Sequence, residues 1–283
     1  MTMKQAAILV PAVLFGVSCS IASAADPVPQ NDLLNATLWV SNSVEYKANS
    51  ISMFKLARIR LDEALADHHW SALDQMDASN KPNAIIADID ETLFDNSGYE
   101  GWLIKAGAEY STETYTEWTR ALEAKAVPGA AEFLNYSDSK GVKIFYVTNR
   151  SARQEADTRA NAAALGFPMG GNADTFLMKD ERDDWGSAKG TRLEFVAKDY
   201  RVLLLLGDNY GDFTDDADGS EAEREASLRK NIAHIGHDWI FFANPQYGSF
   251  ESAAFGNDWS KSSDERRRLK IDSLPAWSGP TAK

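Results

Sequence analysis

From residue 84 onward the chain alternates short apolar runs with amphipathic stretches, and this alternation constrains the fold more than any other feature. The runs cover residues 84–87, 142–147, 175–178, 202–206 and 239–243. Each is too short for a buried helix and is bounded by turn-forming residues, the pattern of strands covered on both faces. Between them, Pro128-Gly129 opens a helix that Gly141 closes. Ser151 lies three residues before Gln154, a capping-box spacing, and starts a helix that runs to Gly166 and Pro168. Residues 187–200 are helical as well. Strands joined through helices pair in parallel, so the pattern predicts an α/β, Rossmann-like parallel sheet with helices on both faces.

Two helical additions flank this core. Over residues 33–76, Leu34, Leu38, Val44, Ile51, Phe54, Ile59, Leu61 and Leu65 recur near helical spacing, which predicts an N-terminal amphipathic helix broken once. Residues 79–83 (SNKPN) end it. Residues 93–125 show no strand alternation but hold Phe94, Tyr99, Trp102, Tyr110, Tyr115 and Trp118, and read as an inserted helical cap. The expected organisation is a leader over 1–25 and one domain over 26–283. Within that domain a helical segment spans 31–78, the core 83–92 and 126–260, and the cap 93–125. The charged stretch 262–270 reads as a solvated helix, and no internal repeat is visible.

Residues 1–25 have the layout of a secretory leader, with Lys4, an apolar stretch over 6–17 and the small residues Ala22-Ser23-Ala24-Ala25. The expectation is an exported protein, periplasmic or secreted. Cys19, the only cysteine, stands where an outer-membrane lipoprotein carries its lipid, but Gly16-Val17-Ser18 lacks the bulky aliphatic residue that such a site usually has. Release is therefore favoured over a membrane tether through Cys19. The formal charge of −13 disfavours a nucleic-acid polymer as partner, since such binding needs clustered cations to neutralise phosphates. A small phosphorylated ligand remains compatible, because a metal and a few cations can invert the field within one pocket.

Three of the runs end in polar clusters: Asp88, Asp90 and Thr92 after the first; Thr148, Asn149 and Arg150 after the second; Asp208, Asn209 and Asp212 after the fourth. The carboxyl ends of parallel strands meet at one edge of a sheet, where ligands of open α/β folds bind. Lys189, before the fourth run, adds a cation. Such a set suits phosphoryl transfer to water. Asp88 serves as nucleophile and Asp90 as general acid and base, while Thr148 bonds a phosphate oxygen and Lys189 balances charge. Carboxylates of Asp88 and Asp208 with one backbone carbonyl, that of Asp90, suit Mg²⁺, with Asp212 reaching it through water. Thr92, Asn149 and Arg150 complete the substrate-facing set, and Tyr99, Trp102, Trp118 and Tyr247 offer faces on which a nucleobase can stack.

These residues match the four motifs of the haloacid dehalogenase superfamily: Asp88-Ile89-Asp90-Glu91-Thr92, Thr148, Lys189 and Gly207-Asp208-Asn209-Tyr210-Gly211-Asp212. Within it the chain resembles the class C acid phosphatases, bacterial secreted or lipoprotein enzymes. The likeness also rests on the stretch from Leu38-Trp39-Val40 through Glu45-Tyr46-Lys47, the 88–99 stretch DIDETLFDNSGY, Ala126-Val127-Pro128-Gly129-Ala130, the 145–150 stretch FYVTNR, Ser187-Ala188-Lys189 and Asn244-Pro245-Gln246-Tyr247-Gly248. Gly211 stands where the class commonly has an acid, and Phe250 where Trp is frequent. The resemblance implies Mg²⁺-dependent hydrolysis of phosphomonoesters at acidic pH, often of nucleoside monophosphates.

Other readings fit less well. A dehalogenase has no use for a leaving-group acid at Asp90, a phosphomutase suits export poorly, and a non-catalytic binder of phosphorylated ligands would not need both aspartates. Residues 214–225 echo a calcium loop, yet Thr214 occupies the first ligand position, where Asp is needed. His68, His69, His234 and His237 lack metal-ligand spacing.

Overall fold

The computed structural model describes residues 31–279, so the expectations for the leader and Cys19 lie outside the described residues. No helix among the described residues is long and apolar enough to cross a membrane. Five strands, β1 (Asn83–Ala87), β4 (Lys143–Ser151), β5 (Phe176–Lys179), β6 (Arg201–Gly207) and β7 (Trp239–Phe241), form a parallel sheet in the order β5-β4-β1-β6-β7. Two further strands, β2 (Phe94–Asp95) and β3 (Lys125–Ala126), pair antiparallel at the base of the cap. The chain builds outward from β1 through β4 to β5, then returns to add β6 on the other side. The switch point of the sheet thus lies between β1 and β6, where a crevice forms beyond the strand ends.

Side-chain alternation divides the core in two. Ile85, Ala87, Ile144 and Tyr146 pack with Phe54, Leu61, Phe133 and Leu134 on one face, while Ala84, Ile86, Phe145 and Val147 pack with Leu193 and Val196 on the other. In β6 Leu203 and Leu204 both join the first face, because the register with β1 shifts between Ala84 and Ile85. This bulge keeps Leu205 and Leu206 in step with β1 up to the strand ends.

The N-terminal segment forms two helices, Leu34–Asn42 and Val44–Ala66, divided at Ser43, whose hydroxyl accepts from Tyr46 N at 3.0 Å. The helix stops ten residues short of the expected end at Met76. Asp67 turns extended and its carboxylate accepts from His69 N, after which Trp70 Nε1 donates to Leu203 O and Gln75 bonds Val202 N, Ala197 O and Tyr200 O. Those bonds fasten residues 67–82 along β6. The cap comprises helices Ser97–Ala106 and Thr112–Ala121 between β2 and β3. The helix expected over 187–200 begins only at Gly190, which leaves Ser187, Ala188 and Lys189 in the approach to it. The calcium-like stretch is explained by a helix cap: Ser220 and Glu223 form a capping box on helix Glu221–Lys230, and Asp215 accepts from Gly190 N.

Glu100 in the first cap helix is only 6% exposed, and burial, reinforced by the charge of Glu251, pushes its carboxyl up to about 7 from an ordinary value of 4.5. The folded protein therefore holds this proton more tightly than the unfolded chain. Its contribution to stability is complete below 4.5 and is lost as pH rises through about 7. Glu100→Gln should flatten the fall in Tm across that window, measured by calorimetry. Parallel Tm–pH curves for the two proteins would refute this.

Candidate active site

The carboxyl end of β1 turns back on itself at once. Asp88 N donates to Leu206 O of β6, and Leu93 N and Phe94 N both donate to Ile89 O, with Glu91 at φ 59° making the turn. The β6 end is equally tight. Asp212 Oδ2 accepts from Asn209 N at 2.9 Å, and a Cβ on Gly207 would come within 2.4 Å of Asp212 Cβ, so only glycine admits this approach.

These turns gather the acids. Carboxylate oxygens of Asp88, Asp208 and Asp212 all lie within 4.8 Å of one another. Lys189 Nζ bonds Asp88 Oδ1, lies 2.8 Å from Asp212 Oδ1, and donates to Val147 O at 2.7 Å. Asp208 takes hydrogen bonds from Thr92 Oγ1 and Asn244 Nδ2, both at 3.0 Å, but pairs with no cationic side chain among the described residues. Burial pushes Asp88 up to about 7, Lys189 pulling against it and Asp212 and Asp90 adding to it. Burial followed by repulsion from Asp212 and Asp88 drives Asp208 well above the carboxylate range. With all three ionised, one ammonium would leave two negative charges uncompensated, which, added to burial, is why the Asp88 and Asp208 carboxyls hold their protons until a cation offsets them. Hard, buried oxygen donors with that excess fit a divalent cation such as Mg²⁺.

Asp90, two residues from Asp88, occupies different surroundings. Arg150 Nε reaches Asp90 Oδ1 and Oδ2 at 3.0 and 3.2 Å, and Nη2 reaches Oδ1 at 2.7 Å. Tyr115 Oη and Asn96 Nδ2 each donate to Asp90 Oδ1 at 2.8 Å. Burial alone would raise this carboxyl, but Arg150 and these donors outweigh it and hold it below the ordinary range.

Of the expected site residues, Asp88, Thr92, Lys189, Asp208 and Asp212 are brought together. Thr148, at the end of β4, is fully buried, and its hydroxyl oxygen accepts from Arg150 N at 3.1 Å. Three expected substrate contacts are engaged elsewhere. Arg150 is buried on Asp90, Asn149 braces Ser187 O and Arg192, and Thr92 donates to Asp208. The aromatic set is divided. Tyr99 is 2% exposed and its hydroxyl is shared with Thr114, so it cannot stack on a ligand. Trp102 and Trp118 line a groove of about 690 Å³ with Leu34 and Leu38, which none of the four acids reaches. A smaller cavity of about 150 Å³, beside Asp212, Asn149 and Asn209, borders the chemistry instead. Tyr247 Oη donates to Glu91 Oε2. Missing from the sequence reading are Tyr115, Asn96, Asn244, Glu91 and Arg192. Of these, Glu91 and Asn96 lie inside the 88–99 stretch and Asn244 inside 244–248, both of which carry the family resemblance.

The sequence model of the HAD superfamily, subfamily IIIB (Acid phosphatase), matches residues 7–250. The chain belongs to this family. Two solved structures of the class C acid phosphatase from Bacillus anthracis, one with tungstate bound, are 31% identical, with TM-scores of 0.78 and 0.77. In each case the match covers 87% of this chain and 98% of the other. The stem 28 kDa and 31 kDa glycoproteins of Glycine max are 22% identical over 138 residues, 46% of this chain. The match spans about half the length of those two relatives, 52% and 45%. Membership places the chain in a family of acid phosphatases with an α/β fold.

The excess charge makes a stability prediction for the metal-free protein. Asp208→Asn should raise Tm by about 2–4 °C in solution alkaline enough to ionise Asp208, where it removes a like charge worth about 1 kcal/mol in a chain of this size, and should change it less in acid, where the raised carboxyl keeps its proton. Added Mg²⁺ should raise the Tm of the wild type and much less that of the variant. A variant less stable than metal-free wild type would show that the acids do not repel.

Proposed function

We propose that the protein is a Mg²⁺-dependent acid phosphatase that hydrolyses small phosphomonoesters, nucleoside 5′-monophosphates among them, through an aspartyl phosphate. The observation that carries this reading is the contrast between two aspartates two residues apart. Asp88 faces Lys189 and the other acids, and Asp90 is enclosed by Arg150, Tyr115 and Asn96. One carboxylate is placed to attack and the other to handle a proton.

In the first step an Asp88 carboxylate oxygen attacks phosphorus, the bond from phosphorus to the ester oxygen breaks, and Asp90 gives its proton to the departing oxygen. In the second, water attacks the aspartyl phosphate and loses a proton to Asp90, which frees phosphate and restores Asp88. Lys189 neutralises charge beside the attacking oxygen. The Thr148 hydroxyl, whose oxygen already accepts from Arg150 N, donates its proton to a phosphoryl oxygen. The carboxylates of Asp88 and Asp208, the Asp90 backbone carbonyl and, through water, Asp212 would hold the cation, which supplies charge neutralisation on the phosphoryl oxygens. The donors around Asp90 favour its ionised form, so the proton it must give is more available in acidic solution. Tyr115 and Tyr247, which border the acids, are the aromatic residues best placed to meet a base. Export, periplasmic or secreted, accords with the leader pattern.

The rival reading, a binder of phosphorylated ligands without turnover, is separated by one variant. Asp88→Asn should lower phosphate release from a chromogenic aryl phosphate by roughly a thousandfold or more, since an amide cannot attack phosphorus. Tungstate should still raise the variant's Tm. A chelator should silence the wild type and Mg²⁺ should restore it. Undiminished release by Asp88→Asn, or wild type inactive with Mg²⁺ at every acidic to neutral pH, would overturn the proposal.

A further inference from the structure

Arg192, in helix Gly190–Asp199, is fully buried and belongs to no motif identified in the sequence. Its guanidinium lies across the gap between the end of β4 and the loop that carries Lys189. Nη1 donates to Thr148 O at 2.5 Å, and Nη2 donates to Asn149 Oδ1, Gly186 O and Ala188 O at 2.7, 2.9 and 3.3 Å. Asn149 completes the brace, its Nδ2 donating to Ser187 O at 3.0 Å. Two successive carbonyls of β4 are thereby taken by two cations of one segment, Val147 O by Lys189 and Thr148 O by Arg192. Backbone bonds return from Arg192 N to Lys189 O at 3.0 Å.

We infer that Arg192 is a positioning residue, which fixes the Thr148 hydroxyl and the Lys189 ammonium relative to each other; the inference rests on the phosphatase reading above. A single planar fork that binds two loop carbonyls, one strand carbonyl and the amide oxygen of a strand residue holds both segments to one geometry, which a lysine cannot reproduce. Sheet pairing ends for this stretch at Thr148, opposite Met178, and Lys189 meets the helix only as its N-cap, so no regular element joins the two segments to each other. The β4–β5 register breaks between Thr148 and Ser151, and residues 187–189 precede the helix. Preorganised groups act where charge develops in the transition state, so loosening them lowers kcat more than it raises KM.

The test is a double-mutant cycle on the full chain with Mg²⁺ and an aryl phosphate. Arg192→Gln should lower kcat by about thirtyfold with KM changed less than about threefold, and in a Thr148→Val background its effect on kcat should shrink by about fivefold or more. Arg192→Lys, which keeps a donor to the strand carbonyl, should fold and show an intermediate loss. A variant that loses activity by the same factor in both backgrounds, or a folded Arg192→Gln with unchanged kcat, would overturn the inference. An inactive wild type would instead refute the phosphatase reading. If Arg192→Gln does not fold, the same cycle with Arg192→Lys decides the matter.

Discussion

Asp88, Asp208 and Asp212 share one pocket with a single ammonium, and the rest of the molecule is arranged to hold that excess negative charge in place. Buried carboxylates of like charge repel and lose hydration, each at a cost of several kcal/mol unless a partner compensates. The structure answers in two ways. Lys189 bridges two of the three, and the turns that present them are closed by a backbone bond from Asp88 N to Leu206 O and by a bond from Asn209 N to the Asp212 carboxylate. What remains uncompensated is the room for a divalent cation.

A rigid platform is needed for this, and the sheet supplies it. β1 and β6 are the central strands, covered on both faces, and their ends carry Asp88 and Asp208 side by side at the switch point. The bulge in β6 matters because it preserves the pairing of Ile86 with Leu205 and Ala87 with Leu206 just before the acids. A register one residue different would send each acid to the opposite face. The apolar packing of Ile85, Leu204, Leu206 and Phe54 thus sets the electrostatics indirectly, by fixing which strand ends meet.

The sheet and the acids were legible because both follow one-dimensional rules. Apolar runs mark strands, and polar residues at their ends mark the ligand edge. Boundaries were less so. β4 extends to Ser151, past the apolar run, because Thr148 and Ser151 pair with β5 through a shifted register that no hydrophobic pattern records. β2 and β3 have two residues each, too few to show a period. Helix Glu221–Lys230 has almost no apolar residues, so only its Ser220–Glu223 cap announces it. In the site, residue type gave capability without direction. Arg150 and Asn149 have the chemistry of substrate ligands but spend it on Asp90, Ser187 and Arg192, and Tyr99 turns inward into the cap. Tyr115 was legible only as one of the cap aromatics and Arg192 not at all, since each acts on residues that only the folded chain brings near.

The same turn that joins Asp88 to Asp90 also divides their tasks. In a regular strand the two side chains would point the same way, yet Glu91 at φ 59° and the return of Phe94 to Ile89 fold the chain over immediately after Asp90. Asp88 therefore keeps a partner from the core alone, Lys189, whereas Asp90 takes Arg150 from the core and Tyr115 from the second cap helix. Asn96 strengthens the link, since it donates to Asp90 and accepts from Trp118 Nε1 of that same helix. In the proposed mechanism, nucleophilic attack is thus built on the sheet, while proton transfer is built on the contact between sheet and cap. A displacement of the cap would act first on the surroundings of Asp90, and so, in that mechanism, on its proton-transfer half.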